Sequence, residues 1–388
     1  MSDSDAARRE REVRLLLVCG RVALDAAVRD TLLAALAEPF DWDSVIARAL
    51  RHGLLPLLHK HLSAMPSETV PPEVLSQLNT RVAEITRTNL RLTAEMLRLT
   101  EAFRAAGLTA VPLKGPVLAQ AVYGSVALRQ FSDLDFLVSP QALRPIKDIL
   151  VSLGYAPDAL YWDQNHEVLS QSYYHFSFYS QAQNCLVEIH HRLYSPCLQT
   201  AQQVQAILGR CASLLFMGRN VPGLSPEDQF LFLCAHGVRH VWERMEWVCG
   251  IAEIVRGGSI TDWPALLAQA HGLGMERILL SSLLLAESLG GVPVPAALAE
   301  AAGRDHAAKQ LADRAAWRLL QGQDRVPEAG ERFLYSLQAY PRSSDRCKYL
   351  WFHLTAPKLP DVGAEPRPLR LLRTYGASLV RAVQRNKS

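Results

Sequence analysis

Apolar and polar positions along this chain change period twice. From about residue 8 to 107 the apolar residues recur every three or four positions, from 108 to about 222 they fall into short runs, and from Ser225 onward the helical period returns. The clearest stripe in the first segment is Leu75, Leu78, Val82, Ile85, Leu92, Met96, Leu99 and Phe103, with Asn89 in the one polar seam position. It predicts a single helix from Pro72 to Ala106, opened by Pro71-Pro72 and closed by Gly107. Such a helix is expected to lie along its own chain's core rather than in a dimeric coiled coil.

The middle segment reads as strands and helices in turn. Leu108 to Leu113 predicts a strand, with Pro112 pointing to a sheet edge or a bulge; Gly115 makes a tight exit, and a helix follows over Pro116 to Tyr123. The next strand holds Asp133 to Val138. Ser139-Pro140 predicts the cap and first turn of a helix through Leu153, which Pro145 must kink or delay. Tyr173 to Tyr179 and Cys185 to His190 are strand candidates, and Leu214 to Met217 predicts one arm of a hairpin turned by Gly218-Arg219-Asn220. Ser225-Pro226-Glu227-Asp228 then carries a capping serine, a first-turn proline and dipole-matched acids. Further helices are expected at Trp242 to Arg256, Asp262 to His271, Met275 to Leu289, Pro295 to Leu320 and Ser344 to Leu354. The fold class is therefore α+β: a core at 108–222 with a small mixed sheet, a helical region at 1–107, and a helical region at 223–388 that ends in a basic tail.

Alternation along the Asp133 to Val138 strand puts Asp133 and Asp135 on one face and Leu134, Phe136 and Val138 on the other. Like charges that close need a cation, and oxygen ligands suit Mg2+ arriving with substrate phosphates; the plainer alternative is a solvated strand end. In Cys185 to His190, Leu186, Glu188 and His190 share a face, which makes a third carboxylate available, unless Glu188 merely pairs with Arg192. Gly115 opens a helix whose first N–H groups can face a phosphate, and Lys114 can supply a compact charge there or simply be solvated. Arg129 fits either a phosphate contact or an ion pair that orients Asp133. Ser132 fits a phosphate hydrogen bond or a structural cap.

A chain of 388 residues exceeds the size at which one core keeps growing, so two or three packed units are expected. A net charge of +3 gives no strong field for nucleic acid, and no nucleic-acid partner is expected. The terminal Arg367, Arg370, Arg373, Arg381, Arg385 and Lys387, interleaved with leucines and valines, read as a basic amphipathic helix for an anionic partner, or as a helix docked on the core. The seven cysteines are scattered and never spaced C-x-x-C, which speaks against a disulfide framework and a structural zinc. The apolar run Leu15 to Cys19 is too short for a signal or a membrane span, so no transmembrane segment and a cytoplasmic location are expected. Neither a dinucleotide fingerprint, a P-loop nor a nucleophile elbow occurs. His236 and His240 share a helical face, but the zinc-protease glutamate between them is missing and no third ligand is in view, so packed polar residues are their default reading. Trp242 and Trp247 fit either base stacking or the core.

In combination, Leu113-Lys114-Gly115, then Arg129 followed by Asp133-Leu134-Asp135-Phe136-Leu137-Val138, then Glu188-Ile189-His190, resemble the bacterial "uncharacterised nucleotidyltransferase" family of the DNA polymerase β-like superfamily. Leu224 to Asp228, His236 with His240, and Trp242 to Trp247 are similar to that family as well, so the resemblance runs over roughly residues 75 to 290. The chain departs from the family pattern at Gly250, where an aspartate is usual, and at Lys114-Gly115, where the wider superfamily has a glycine-serine pair. The resemblance implies a polymerase-β-like catalytic core and a two-metal Mg2+ site on Asp133, Asp135 and Glu188, with Glu188 completing the second position or acting as base. It also implies that Lys114, Gly115, Arg129, Ser132, His190, His236 and His240 line the site of an NTP, with ATP the expected one. The implied reaction is transfer of an NMP group to an unidentified acceptor, a small molecule, peptide or protein, with release of pyrophosphate. The rival is a non-catalytic binding or scaffold protein built on a degenerate core of the same kind.

Overall fold

A computed structural model of the chain describes residues 3–158, 170, 173–321 and 325–355. Four helices open it, α1 (Asp3–Cys19), α2 (Ala26–Leu36), α3 (Trp42–Arg51) and α4 (Leu55–Leu62), followed by α5 (Pro72–Ala105). Asp25 and Asp41 cap α2 and α3 by accepting from the Val28 and Ser44 N–H groups. The 34-residue α5 matches the expected helix to within one residue, and Gly107 beyond it has φ +72°. Leu78 packs with the terminal helices, whereas Leu92, Met96, Leu99 and Phe103 pack on the sheet, so one stripe serves two cores. Asn89, between them and fully buried, donates from Nδ2 to the carbonyls of Val126 and Arg129, each at 2.7 Å. The polar seam position thus pins the loop that leads to the acidic strand.

The sheet comprises β1 (Ala110–Pro112), β2 (Asp133–Val138), β3 (Ala156–Pro157), β4 (His175–Ser180) and β5 (Cys185–His190), in the order β1-β2-β5-β4-β3. Only β2 and β5 run parallel; the other pairs are antiparallel. β1 is at the edge, where Pro112 removes no needed ladder donor, and Leu113 N–H extends the pairing to the Asp135 carbonyl at 2.9 Å. Helix α6 (Pro116–Tyr123) has the expected bounds. Ser139-Pro140 behaves differently: it opens a short 3-10 turn with no side-chain cap, and α7 begins only at Leu143, running to Ser152 with Pro145 in its first turn. β4 starts at His175 rather than Tyr173.

Helix α8 (Ala201–Gly209) was not expected, although Thr200 and Gln203 form a capping box at its start. The hairpin β6 (Ala212–Phe216) and β7 (Arg219–Gly223) forms a sheet of its own. Its turn is Met217-Gly218, with φ +48° and +75°, so Arg219 and Asn220 belong to the strand and not to the turn.

The remaining helices are α9 (Pro226–Arg239), α10 (Met245–Gly257), α11 (Trp263–Gly272), α12 (Glu276–Gly290), α13 (Ala296–Arg304), α14 (His306–Leu320), α15 (Ala329–Ala339) and α16 (Ser343–Thr355). Ser225 caps α9 as expected, accepting from Asp228 N–H. α10 starts three residues later than the sequence pattern indicates, because Val241 and Trp242 adopt φ +54° and +50° and turn the chain sharply after α9. The continuous helix expected over Pro295 to Leu320 is broken at Asp305, whose side chain caps α14 and holds Arg277 at 2.9 Å. α15 lacked an expectation. The basic stretch from Arg367 to Lys387 lies outside the described residues. No helix among the described residues is long and apolar enough to cross a membrane.

One hydrophobic core unites α1 to α4 with α9, α10, α12 and α14, joining residues from both halves of the chain; a second fills the space between the sheet, α5 and α7. The polar face of β2 and β5 is left between the sheet and the pair α9 and α10. A cleft opens there.

Candidate active site

The parallel register sets Asp135 directly opposite Glu188 and Asp133 opposite Leu186, so the three carboxylates lie on one face of adjacent strands. The other face supplies Leu134, Phe136, Val187 and Ile189 to the core beneath, which fixes the orientation of the acids. One carboxylate oxygen from each of Asp133, Asp135 and Glu188 lies within 4.8 Å of the others. Exposure rises outward, from 0% for the Asp135 side chain to 20% for Glu188 and 25% for Asp133. An all-oxygen donor set with a solvent-facing side is what a hard divalent cation needs.

Lys114 faces these acids. Its Nζ lies 3.3 Å from Asp133 Oδ2 and 3.1 Å from Asp135 Oδ2, a monovalent cation standing between two carboxylates. Burial by itself would lower the Lys114 pKa; Asp135, Asp133 and Glu188 outweigh it and raise it. Gly115 follows with φ +63°, a backbone conformation that side chains disfavour, and there the chain turns into α6.

Two histidines complete this wall. His190 Nε2 lies 3.0 Å from Asp135 Oδ1 and 3.5 Å from Glu188 Oε2, and His175 Nε2 lies 3.5 Å from Glu188 Oε1. Burial opposes the charged form of His190, yet hydrogen bonds to Asp135 and Glu188 raise its pKa. Burial, with His190 beside it, lowers His175 to about 4, so at neutral pH its contact with Glu188 is not an ion pair. Burial likewise disfavours the Glu188 carboxylate, but His190, His175 and Lys114 hold its pKa down at about 2. Glu188 does not pair with Arg192, whose guanidinium turns to the Ser170 carbonyl. His175 was not singled out in the sequence. Only the antiparallel register of β4 against β5, which sets it opposite His190, shows its place.

The facing wall comes from α9 and α10. His236 and His240 have ring centroids 4.7 Å apart, and Trp247 meets them at 4.8 and 5.5 Å. No third ligand joins the two histidines in a metal grouping among the described residues. The tryptophans divide: Trp242 is buried against Gly237 in the core, and Trp247 lines the cleft. Arg239, stacked 4.1 Å over the Tyr174 ring, also reaches the cleft and was not anticipated. Arg129 lines it too, 8% exposed, and among the described residues its guanidinium has no carboxylate partner, so it does not serve as the ion-paired orienter of Asp133. Ser132 is exposed at the mouth. The cleft has a volume of ≈ 280 Å³. Gly250 is outside it, buried beneath α6, where a Cβ would meet the Tyr123 hydroxyl at 3.5 Å.

A family model described as "Uncharacterised nucleotidyltransferase" matches residues 38–291. The chain belongs to that family. In this family member the match begins just before α3 and ends where α12 closes, and so contains both walls of the cleft. Membership supports nucleotidyl transfer as the general reaction class. Comparison with curated proteins and with solved structures finds no match.

Proposed function

We propose that this chain is a Mg2+-dependent nucleotidyltransferase that moves an NMP group from an NTP, with ATP the first candidate, to an acceptor hydroxyl, amine or phosphate. The observation that carries the reading is the meeting of Asp133, Asp135 and Glu188 within 4.8 Å on adjacent parallel strands in an open cleft. These residues hold the cation. Mg2+ held there would supply charge neutralisation for the phosphate oxygens and would lower the pKa of an attacking hydroxyl. The acceptor oxygen bonds to the α-phosphorus, the bond from that phosphorus to the bridging oxygen breaks, pyrophosphate leaves with the electron pair, and the acceptor proton passes to solvent.

The chain's own residues supply binding and orientation. Arg129 lines the cleft with no carboxylate partner among the described residues, so its guanidinium is available to an incoming phosphate. Lys114 lines the same cleft and can take the remaining phosphate charge, whereas Gly115 and the first turn of α6 are not among the residues that line it. Glu188, with its pKa near 2, is a weak proton acceptor, which supports cation holding over general-base work. His190 orients Asp135 through their 3.0 Å hydrogen bond. Trp247, His236 and His240 present aromatic faces on the opposite wall, suited to stacking a base or an acceptor.

A second reading, a non-catalytic binding protein, is favoured by one observation: Lys114 already neutralises Asp133 and Asp135. Incubation of the chain with Mg2+, labelled NTPs and a cell extract separates the two. Transfer of label and release of pyrophosphate by the wild type, both absent in Asp133→Ala/Asp135→Ala, are expected. No pyrophosphate with any NTP would overturn the catalytic reading.

A further inference from the structure

The acidic cluster has a second side, made of nitrogen. His175 Nε2, His190 Nε2 and a Glu188 oxygen lie within 4.8 Å of one another; His175 Nε2 faces Glu188 Oε1 and His190 Nε2 faces Oε2, while His190 Nε2 also hydrogen-bonds Asp135 Oδ1 at 3.0 Å, a bond that an ion seated here would displace. Both separations from Glu188 are 3.5 Å. A charge-assisted N–H···O bond closes to about 2.7–2.9 Å, so these contacts are long for hydrogen bonds. Two donors on one tetrahedral ion, with bonds of about 2.0–2.2 Å, stand about 3.3–3.6 Å apart, which is the separation of each imidazole nitrogen from its own Glu188 oxygen, so the carboxylate would bind through both oxygens or turn to present one.

We propose that His175, His190 and Glu188 form a two-imidazole, one-carboxylate seat for a divalent ion of the Mn2+, Co2+ and Zn2+ group, next to the oxygen-only side formed by Asp133 and Asp135. Imidazole nitrogen favours these ions and is a poor ligand for Mg2+, which demands oxygen. Strand register makes the seat: His175 and His190 face each other across β4 and β5, and Glu188 is two residues before His190 on the same face. Lys114 stands on the far side of the cluster, against the aspartates, and leaves this side to another cation. The inference rests on the nucleotidyl-transfer reading only in making this seat the second cation position of that site. The seat itself stands on its own geometry.

The test uses the full chain, stripped with EDTA and titrated with Co2+, whose visible bands report nitrogen ligation. One equivalent is expected to bind with such bands. His175→Ala is expected to weaken binding at least about tenfold, as loss of a ligand should exceed the loss seen for outer-shell changes. Asp133→Asn is expected to keep the bands, and Mg2+ in large excess is expected not to erase them. Unfolding midpoints on the same samples establish that each variant is folded, and His175→Gln replaces His175→Ala if the latter is not. Absence of nitrogen bands in the wild type, or bands that survive both His175 substitutions, would overturn the proposal. Mg2+-supported label transfer is measured in parallel: bands without transfer sink the enzymatic reading and leave the seat, whereas transfer without bands does the reverse.

Discussion

The Lys114 ammonium lies 3.1 Å from Asp135 Oδ2, at the floor of the cleft where the Asp135 side chain has no exposure at all. Removing it leaves two carboxylates facing each other. Breaking a fully buried pair costs about 3–5 kcal/mol, and partial exposure of Asp133 reduces this, so Lys114→Ala is expected to lose about 2–3 kcal/mol in EDTA. Mg2+ is expected to restore much of that loss. Thermal unfolding of the variant with and without Mg2+ checks it; an unchanged midpoint on adding Mg2+ would mean that these acids do not share a cation.

Asn89 controls the approach to the same acids from a distance. Its amide holds the Val126 and Arg129 carbonyls, and a buried carbonyl without a donor costs about 1–3 kcal/mol. Asn89→Leu is therefore expected to destabilise the chain by about 2–4 kcal/mol. It should also raise the KM for NTP, because Arg129 is no longer held in place. Denaturant unfolding and steady-state kinetics on one preparation read both effects.

Acid should weaken the fold before Glu188 titrates. Burial lowers His175 and His191 from 6.5 to about 4 and His240 to about 3, so they stay neutral in the folded chain while the unfolded chain takes up protons below 6.5. Stability consequently falls as pH drops from 6.5 toward 4, with a slope of up to about 1.4 kcal/mol per pH unit for a fully buried group such as His191. His190 acts in the opposite sense, since its raised pKa contributes stability that is full below 6.5 and is lost as pH rises through the folded value. Glu188 enters only between about 4.5 and about 2, where protonation removes what its depressed pKa contributes. Unfolding midpoints measured from about pH 7 down to 4.5 should decline. A flat profile would mean that the histidines of the cleft are solvated.

Period and punctuation were legible wherever the driving force is local. The stripe of α5, the exit at Gly115, the bounds of α6 and β5, and the Ser225 cap all follow from residues within a few positions of one another. Errors came where long-range packing overrode the pattern. Val241 and Trp242 are driven into left-handed backbone so that the Trp242 ring can pack on Gly237, and no local propensity encodes that turn. Asp305 divides what reads as one continuous helix, since its carboxylate caps α14 and pairs with Arg277 on α12. The capping box of α8 and its stripe Val204, Ile207 and Leu208 are local signals that the sequence does carry.

Alternation alone decided that Asp133 and Asp135 would share a face, and likewise Glu188 and His190, because a strand's period of two is a property of the backbone. Which strands would pair, and in which register, depended on the core under them. Only that packing brought Asp135 opposite Glu188, His175 opposite His190, Lys114 between the aspartates and Trp247 across the cleft. These contacts join residues up to more than a hundred positions apart, and no local rule in the chain carries information over such distances.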